Sequence, residues 1–293
     1  MRLLNRLWAM TALAVSTIAA PTPNRALVSR AVSSDILQQL ELFAQYSAAS
    51  YCERNINSAG DKLTCKAGNC AIVQEAETTT LYEFENENDV AGYLAADTTN
   101  NLLVLSFRGS RTIDNWIDNI DFIQEDITDV CNDCWAHGGW WDAWQEVADE
   151  LSGQIKDAVN QYPDYKMVFT GHSLGGALAT IAATVLRNEG YTIDLYTYGS
   201  PRVGNEALSE YITAQGTLYR VTHTNDVVPK LPPPIGYAHP SPEYWVTSGN
   251  YETVTTEDVE AIEGTNSTAG NAGTDGVSVI AHLHYFGNIA GCI

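Results

Sequence analysis

A single serine lies between two glycines in the stretch FTGHSLGGALAT, residues 169–180. A short apolar run precedes Ser173 and a run of helix-forming residues follows it, so this Gly-x-Ser-x-Gly pattern, with Gly171 and Gly175, predicts a sharp turn from strand to helix. Such a turn projects the hydroxyl outward. The first N–H groups of the following helix point to the same place and stabilise negative charge there. The pattern therefore predicts a nucleophilic serine.

A serine hydroxyl needs a base and an orienting acid, which in this type of fold follow the serine in the order acid, histidine. Asp226 comes after a predicted strand, at the end where sites in parallel sheets form, whereas Asp194 lies at the start of its strand. The histidines beyond Asp226 are His239, His282 and His284. His239 lies in a proline-rich loop, which favours a packing role. If AHLHYFG is extended, the other two histidines point the same way, so spacing does not choose between them and leaves a two-histidine metal site open. No third ligand pattern accompanies them, and we predict neither a metal nor a cofactor.

The elements that must position these residues alternate between short apolar runs and helical patterns. Strands are predicted at residues 102–107, 165–169, 193–198 and 218–222, and helices at 141–160 and 177–188. This alternation predicts an α/β fold with a mainly parallel central sheet flanked by helices, in one domain from residue 31 to 293. Residues 263–276 have the composition of a flexible surface loop and carry an acceptor sequon for N-glycosylation at Asn266.

The N-terminus has the pattern of a secretory signal peptide. Arg2 and Arg6 precede an apolar run that ends in small residues, which predicts a signal peptide at residues 1–19 and a pro-segment at 20–30 ending at Arg30. The run is too short to span a bilayer, so we expect an extracellular protein without a transmembrane segment. The formal net charge of −21 disfavours nucleic acid and anionic membranes as partners and favours neutral substrates.

Six cysteines in an exported chain suggest three disulfides, although six cysteines allow fifteen pairings. Cys65 and Cys70 bracket one short loop, and Cys131 and Cys134 bracket another. This leaves Cys52, the first cysteine, to pair with Cys292, the last. The alternative for the Cys131-x-x-Cys134 spacing is a redox or zinc motif, although a single such pair fits zinc poorly.

Several stretches match one known family in order: LFAQYSAASYC, LVLSFRGSRTIDNWIDN, VFTGHSLGGALAT, YGSPRVGN, YRVTHTNDVVPKLPP, SPEYW and AHLHYFG. From about residue 33 to 292 the chain resembles the fungal class 3 lipases, most of all the Thermomyces-type lipases. The resemblance implies the α/β-hydrolase fold, with Ser173 as the nucleophile, Asp226 as the acid and His282 as the base. It implies oxyanion donors at the backbone N–H of Leu174 and at Ser110. It also implies the cysteine pairing given above.

A short amphipathic segment follows the oxyanion position. Ile113, Trp116, Ile117 and Ile120 recur at helical spacing, and Thr112 is expected to cap the helix. Periodicity alone is typical of an ordinary surface helix packed on the core. In the family that the chain resembles, the corresponding segment is the lid that covers the site in water and turns its apolar face to lipid.

The expected function is hydrolysis of acylglycerol esters, triacylglycerols included, at a lipid–water interface through an acyl-enzyme, by a protein expected to be a monomer. CNDCWAHGGWW also resembles feruloyl esterases of the same fold, although a soluble aromatic ester needs no lipid-facing helix. A phospholipase A1 or galactolipase activity is a further alternative, and a secreted binding protein without catalysis is another. His137-Gly138-Gly139 resembles an oxyanion motif of other esterases but lacks its third glycine, so we assign it a structural role.

Overall fold

The computed structural model of the protein describes residues 28–56 and 59–293. Eleven strands form in these residues: β1 Val28–Arg30, β2 Thr78–Glu85, β3 Ala91–Asp97, β4 Leu102–Phe107, β5 Gln124–Asp126, β6 Trp135–His137, β7 Lys166–His172, β8 Ile193–Tyr198, β9 Leu218–His223, β10 Glu243–Val246 and β11 Val259–Ile262. Nine of them form one sheet in the order β1-β11-β10-β9-β8-β7-β4-β3-β2, and β5 pairs with β6. The pairs from β4 through β7, β8 and β9 to β10 are parallel, whereas both edges are antiparallel. A mainly parallel central sheet is therefore confirmed.

Helices cover both faces of this sheet, as a parallel sheet requires. They are α1 Ser34–Ala49, α2 Ala71–Glu75, α3 Ile113–Asn119, α4 Gly138–Gln161, α5 Leu174–Asn188, α6 Glu206–Gln215 and α7 Val279–His282. Alternate residues of β4 and β7 pack into two separate apolar cores. One core contains α4, α5 and α6, and the other contains α1 and the C-terminal segment. Local signals fix the helix ends: the Ser33 side chain caps α1 and the Asn205 side chain caps α6.

The parallel strands bring distant parts of the chain to one edge of the sheet. Phe107 at the end of β4 is in register with Gly171 of β7, and His172 is in register with Tyr198 at the end of β8. Tyr198 is in turn in register with Val221 near the end of β9. The residues that follow β4, β7, β8 and β9 therefore all emerge at the same edge, which is where open parallel sheets bind ligands.

The sequence-based element boundaries need small corrections. β7 continues to His172, three residues beyond the predicted strand, and α4 begins at Gly138 and α5 at Leu174, three residues before each predicted helix. Residues 263–276 are not simply a surface loop, because they contain a 3-10 turn at Asn271–Gly273 in which Asn271 is buried.

The predicted signal peptide and the pro-segment up to residue 27 lie outside the described residues. The last three residues of that pro-segment form β1, which pairs antiparallel with β11, so the sheet begins before the predicted domain boundary at residue 31. The division into signal peptide, pro-segment and catalytic domain stays a prediction. None of the helices in the described ranges is long and apolar enough to cross a membrane.

Candidate active site

Ser173 occupies the turn between β7 and α5, where the sequence pattern predicts it. Its φ of 58° and ψ of −131° are strained for a residue with a side chain. The two flanking glycines permit this turn. A Cβ at Gly171 would lie 2.2 Å from the Gly175 carbonyl oxygen, and a Cβ at Gly175 would lie 2.2 Å from the Phe107 carbonyl oxygen. The backbone therefore packs too closely here for any larger residue.

Asp226 and His282 are joined although 56 residues separate them. Asp226 lies in the turn after β9, His282 is the last residue of α7, and both are fully buried. The distance from His282 Nδ1 to Asp226 Oδ2 is 2.9 Å. Because an ionised carboxylate only accepts, Nδ1 is the donor, which leaves the lone pair of the neutral imidazole on Nε2.

Two further donors hold the Asp226 carboxylate. The backbone N–H of Val228 donates to Oδ1 at 2.9 Å, and the Tyr285 hydroxyl donates to Oδ2 at 2.5 Å. Burial and the nearby Asp226 carboxylate raise the pKa of Tyr285 well above its usual range, so this hydroxyl stays protonated. The carboxylate thus has three donors and a fixed orientation.

Both groups that are expected to react with substrate lack a hydrogen-bond partner. Ser173 Oγ and His282 Nε2 are both buried and have no hydrogen-bond partner. Such orphaned buried polar atoms are uncommon in native structures and call for a physical reason. A buried hydroxyl, together with an imidazole whose other nitrogen donates to a carboxylate, can carry out general-base nucleophilic chemistry once a substrate reaches them.

A buried hydrogen-bond chain supports the carbonyl of His282 itself. His172 Nε2 lies 2.8 Å from the His282 carbonyl oxygen, and the Tyr51 hydroxyl lies 2.7 Å from His172 Nδ1. Burial holds the pKa of His172 well below its usual value, so its ring is neutral. Because a carbonyl oxygen only accepts, Nε2 donates and Nδ1 accepts from Tyr51. A Cβ at Gly109 would lie 2.1 Å from the Tyr51 hydroxyl, so glycine is required at that position.

The two residues expected to form the oxyanion site lie at the same edge of the sheet as Ser173. Ser110 follows β4, which is the parallel neighbour of β7, and Leu174 is the first residue of α5. The first N–H groups of a helix have no partner within it, so the start of α5 can stabilise an anion beside Ser173. The chain before Ser110 is anchored by Arg108, which is buried and forms ion pairs with Glu85 and Asp89.

The amphipathic segment forms α3, and its apolar residues lie beside the site. Trp116 and Ile120 line a cavity of about 470 Å³ together with Leu174, the residue after Ser173. Ile113 is buried and lines a second cavity together with Leu283, the residue after His282. Each end of the segment therefore shares a cavity with a neighbour of a candidate catalytic residue.

Two details of this segment differ from expectation. Thr112 makes no capping hydrogen bond through its side chain, and Ile120 lies just after the helix. Ile117 is half-buried, as are Trp116 and Ile120. The helix is shorter than the apolar periodicity indicates because Ile120 adopts an extended backbone conformation.

The structure separates the histidines that spacing could not rank. AHLHYFG is not extended: His282 ends a helix, so it and His284 do not lie on one face. His284 Nδ1 lies 2.9 Å from the Ile280 carbonyl oxygen, and its ring contacts Tyr251. His239 is buried and its Nε2 lies 2.7 Å from the Pro229 carbonyl oxygen. In residues 28–56 and 59–293, no group of three or more His, Cys, Asp or Glu side chains is arranged to hold a metal ion.

The other predicted positions are His137, Asn266 and the cysteines, and His137 lines the same cavity as Trp116 and Leu174. His137 ends β6, its Nε2 lies 2.9 Å from the Asp121 carbonyl oxygen, and its ring stacks on Trp140. Burial lowers the pKa of His137. Asn266 is exposed, and its Oδ1 accepts a hydrogen bond from the backbone N–H of His239. The three disulfides are those that the spacing suggested: Cys52–Cys292, Cys65–Cys70 and Cys131–Cys134.

Sequence reasoning missed several residues that the fold brings to the triad candidates. Asn271 Nδ2 donates to the carbonyl oxygens of Asp226 and Thr224, at 2.9 and 3.2 Å. Tyr285 lies three residues after His282 in the sequence but outside α7, which ends at His282. Gly199 has a φ of +56°, and a Cβ there would lie 2.8 Å from Asp226 Oδ2 and 2.9 Å from His282 Nδ1. Nothing in the sequence around Asn271 points to Asp226.

Comparison with known proteins shows which family the chain belongs to. The family model for class 3 lipases matches residues 104–235, and the model for the N-terminal region of that family matches residues 6–82. The chain is 47% identical to the secreted mono- and diacylglycerol lipase A of Penicillium camembertii, over 96% of this chain and 94% of the relative. It is 39% identical to the secreted mono- and diacylglycerol lipase 1 of Fusarium solani, over 94% of this chain and 85% of that relative.

A solved structure agrees with these sequence matches. The crystal structure of the mono- and diacylglycerol lipase from Aspergillus oryzae superposes with a TM-score of 0.85 at 39% identity, covering 89% of this chain and all of that one. Family models, full-length relatives and the three-dimensional fold thus agree. This chain belongs to the class 3 lipase family and has the α/β-hydrolase fold.

Proposed function

We propose that this protein is a secreted serine esterase that hydrolyses acylglycerols at a lipid–water interface, with Ser173, Asp226 and His282 as its catalytic triad. The observation that carries the proposal is the pairing of an oriented His282–Asp226 couple with two buried, partnerless reactive atoms, Ser173 Oγ and His282 Nε2. A protein that only binds lipid has no need for this combination.

In the proposed reaction Ser173 Oγ attacks the ester carbonyl carbon while His282 Nε2 takes the hydroxyl proton. Asp226 holds Nδ1–H and stabilises the imidazolium that forms. The oxyanion of the tetrahedral intermediate is stabilised by two donors, the backbone N–H of Leu174 and a donor at Ser110. His282 then gives its proton to the leaving glycerol oxygen, which breaks the ester bond and leaves an acyl-enzyme. Water, activated by the same imidazole, releases the fatty acid and restores Ser173.

The closed state of the site supports a lid function for α3 and its flanks. Ser173 and His282 are fully buried, so an ester cannot reach them in this conformation. Trp116 and Ile120 line a cavity together with Leu174, and Ile113 lines another together with Leu283. Outward movement of the segment that carries Ile113, Trp116, Ile117 and Ile120 exposes apolar surface, which is favourable in contact with lipid and unfavourable in water.

The substrate class follows from the relatives and from charge. The relatives described above are named mono- and diacylglycerol lipases, which favours acylglycerols over the feruloyl esterase, phospholipase A1 and galactolipase alternatives. A formal net charge of −21 favours a neutral substrate surface. Partial acylglycerols are the first substrates to test, with triacylglycerols as the comparison. An extracellular location fits the three disulfides and the N-terminal pattern.

Initial rates on tributyrin across its solubility limit test the proposal, with diolein, methyl ferulate and phosphatidylcholine in parallel. We expect a rise in rate when droplets appear, and loss of about 10⁶-fold in kcat for Ser173→Ala and about 10⁴-fold for Asp226→Asn. Covalent labelling of Ser173 by an organophosphonate separates catalysis from mere binding. A Ser173→Ala enzyme with full activity would refute the triad, and saturation on soluble tributyrin with strong ferulate turnover would favour the feruloyl esterase.

The sequon at Asn266 is proposed as a glycosylation site. Its side chain is exposed and its carbonyl oxygen is held by His239, which leaves the amide nitrogen available for a glycan. Peptide N-glycosidase should lower the apparent mass of the secreted protein, and Asn266→Gln should abolish that change.

A further inference from the structure

Two segments that are distant in the chain carry the acid and the base of the candidate triad. Asp226 lies two residues before the 3-10 helix Val228–Lys230. His282 is the last residue of α7, which follows residues 271–278. The hydrogen bond between the two side chains is therefore only as well defined as the packing of one segment on the other. Any contact that holds residues 271–278 against the turn of Asp226 also sets the position of His282.

Both ends of residues 271–278 are joined to the turn of Asp226. At the first end, the Asn271 side chain donates to the Asp226 carbonyl oxygen at 2.9 Å. At the last end, the Ser278 N–H donates at 2.9 Å to the carbonyl oxygen of the residue before Asp226, and the Ser278 side chain caps α7. The stretch between these ends is mostly exposed and contains two glycines, which add backbone freedom. It therefore needs a further contact if it is to lead into α7 along one path.

Lys230 provides that contact. Its Nζ donates to the carbonyl oxygens of Thr274 and Gly276, each at 2.8 Å, in the middle of the stretch. Hydrogen bonds from a charged donor are stronger than those between neutral groups. Burial lowers the pKa of Lys230, whereas the nearby carboxylates of Asp275 and Asp226 favour its charged form. One side chain thus fixes two points of the stretch.

The backbone that carries Lys230 is itself held in place. Pro229 lies within the 3-10 helix, and its ring fixes the backbone φ there. Arg202 Nη1 donates to the Lys230 carbonyl oxygen at 2.7 Å. Val228, in the same helix, donates its N–H to Asp226 Oδ1 at 2.9 Å. Lys230 and the Asp226 carboxylate are therefore held by one rigid turn.

We propose that Lys230 is a positioning residue for His282, which it places against Asp226 through residues 274–278 and α7. The proposal rests on the proposed function, because it assigns a further residue to the same acid–base couple. Lys230 acts at a distance from the reacting atoms, since its Nζ is bound by backbone carbonyls. It keeps His282 Nδ1 at 2.9 Å from Asp226 Oδ2 while the imidazole gains and loses its other proton. A small displacement of a catalytic group lowers the rate strongly, because reaction requires near-attack geometry.

The first test needs no turnover. A hydrogen bond from an imidazole N–H to a carboxylate gives a proton NMR signal far downfield, which is assigned here by its loss in His282→Ala. We expect this signal to broaden or disappear in Lys230→Met, because methionine fills similar space without a donor. Lys230→Arg retains donors and should keep the signal. Lys166→Met is the matched control, since Lys166 pairs with Asp194 and lies at the opposite end of β7.

Hydrolysis of dissolved p-nitrophenyl butyrate separates positioning from binding. We expect Lys230→Met to lower kcat about tenfold and to leave KM unchanged, because the couple is displaced but the substrate contacts remain. Lys230→Arg should retain most of kcat, and Lys166→Met should behave like the parent. All rates are taken well below the melting temperature of each variant, so that unfolding does not cause the loss.

Chemical rescue of Lys230→Ala shows whether the missing donor is what matters. n-Propylammonium contains the atoms that this substitution removes, so it should bind at the two carbonyl oxygens and restore kcat severalfold. Tetramethylammonium has the same charge but no N–H donor, and it should not restore kcat. The parent enzyme in the same amine controls for attack of the amine on the acyl-enzyme.

Several results would overturn the proposal. They are an unchanged downfield signal with unchanged kcat in Lys230→Met, a loss confined to KM, an equal loss in Lys166→Met, and equal rescue by tetramethylammonium. Failure of the unmodified enzyme to hydrolyse the dissolved ester would instead refute the proposed function. The NMR comparison would still test the placement of His282 in that case, so the two failures are distinguishable.

Discussion

Replacement of Tyr285 by phenylalanine tests how far the orientation of Asp226 supports catalysis. The hydroxyl donates to Asp226 Oδ2 at 2.5 Å, and it is one of three donors to a carboxylate that is fully buried. A hydrogen bond to a charged group contributes about 1.5–3 kcal/mol, so Tyr285→Phe should lower the free energy of unfolding by about that amount. In the transition state Asp226 must hold the imidazolium. If the variant raises the activation barrier by roughly half of that energy, kcat falls about three- to tenfold.

The matched control is Tyr198→Phe. Tyr198 is also a buried tyrosine of the same core, with its ring centroid 6.0 Å from that of Tyr285, but its hydroxyl donates to the Leu40 carbonyl oxygen at 2.6 Å. Urea unfolding and hydrolysis of a dissolved p-nitrophenyl ester are to be measured for both variants. Tyr198→Phe should lose stability by about 1 kcal/mol and leave kcat unchanged, since its acceptor is neutral and distant from the reaction.

The comparison of the two variants decides whether the Tyr285 hydroxyl supports catalysis. Equal kcat values for Tyr285→Phe and Tyr198→Phe would show that Tyr285 only packs and that two donors suffice for Asp226. A change in KM without a change in kcat would also contradict the reasoning, because Tyr285 lies behind the acid and does not face the substrate.

Three other predictions follow from the same geometry. Gly199→Ala should lower kcat about a hundredfold because its Cβ would press on Asp226 and His282. Gly190 also has a positive φ but no neighbour within 4 Å, so Gly190→Ala should affect stability alone in a parallel rate and melting assay. Asn271→Ala should lower the free energy of urea unfolding by about 1–3 kcal/mol because it leaves the buried Asp226 carbonyl without a donor, whereas the Thr224 carbonyl keeps the Trp245 Nε1 donor. No measurable loss of stability would speak against this. Burial raises the pKa of several tyrosines, so the folded state holds these protons above pH 10 while the unfolded state releases them. The free energy of unfolding should therefore be unaffected by these phenols below about pH 10, and above it should fall by about 1.4 kcal/mol per pH unit for each of them. Phenolate absorbance should appear only on unfolding. The tyrosines concerned are Tyr46, Tyr51, Tyr93, Tyr196, Tyr198 and Tyr285.

Some parts of the site were accessible from local pattern. The turn at Ser173 depends on residues within a few positions, because glycines on either side and a helix-forming run after it are local requirements of one strand-to-helix turn. Asp226 could be ranked above Asp194 because strand direction alone decides which end of a parallel sheet faces the site. In the structure Asp194 instead pairs with the Lys166 side chain at the opposite end of β7.

Other parts depended on contacts between segments that are distant in the chain. The sequence spacing makes His282 and His284 equivalent only if the segment is an extended strand. The segment instead forms α7, which Ser278 caps by accepting a hydrogen bond from the Ala281 N–H at 3.0 Å. Asn271 lies in a stretch whose composition indicates a flexible loop. It becomes ordered because Glu243 of β10 accepts from its backbone N–H at 3.1 Å and its side chain reaches the turn of Asp226.

The sequence by itself determined the fold class and indicated the candidate nucleophile and the order of its expected partners, since periodicity, turn chemistry and strand direction are encoded over a few neighbouring residues. Only the tertiary structure decided which histidine meets Asp226, and that Tyr285 and Asn271 donate hydrogen bonds to that residue. These features depend on distances between residues that are tens of positions apart, and such distances are fixed by the register of the sheet and the packing of the two cores rather than by any local preference.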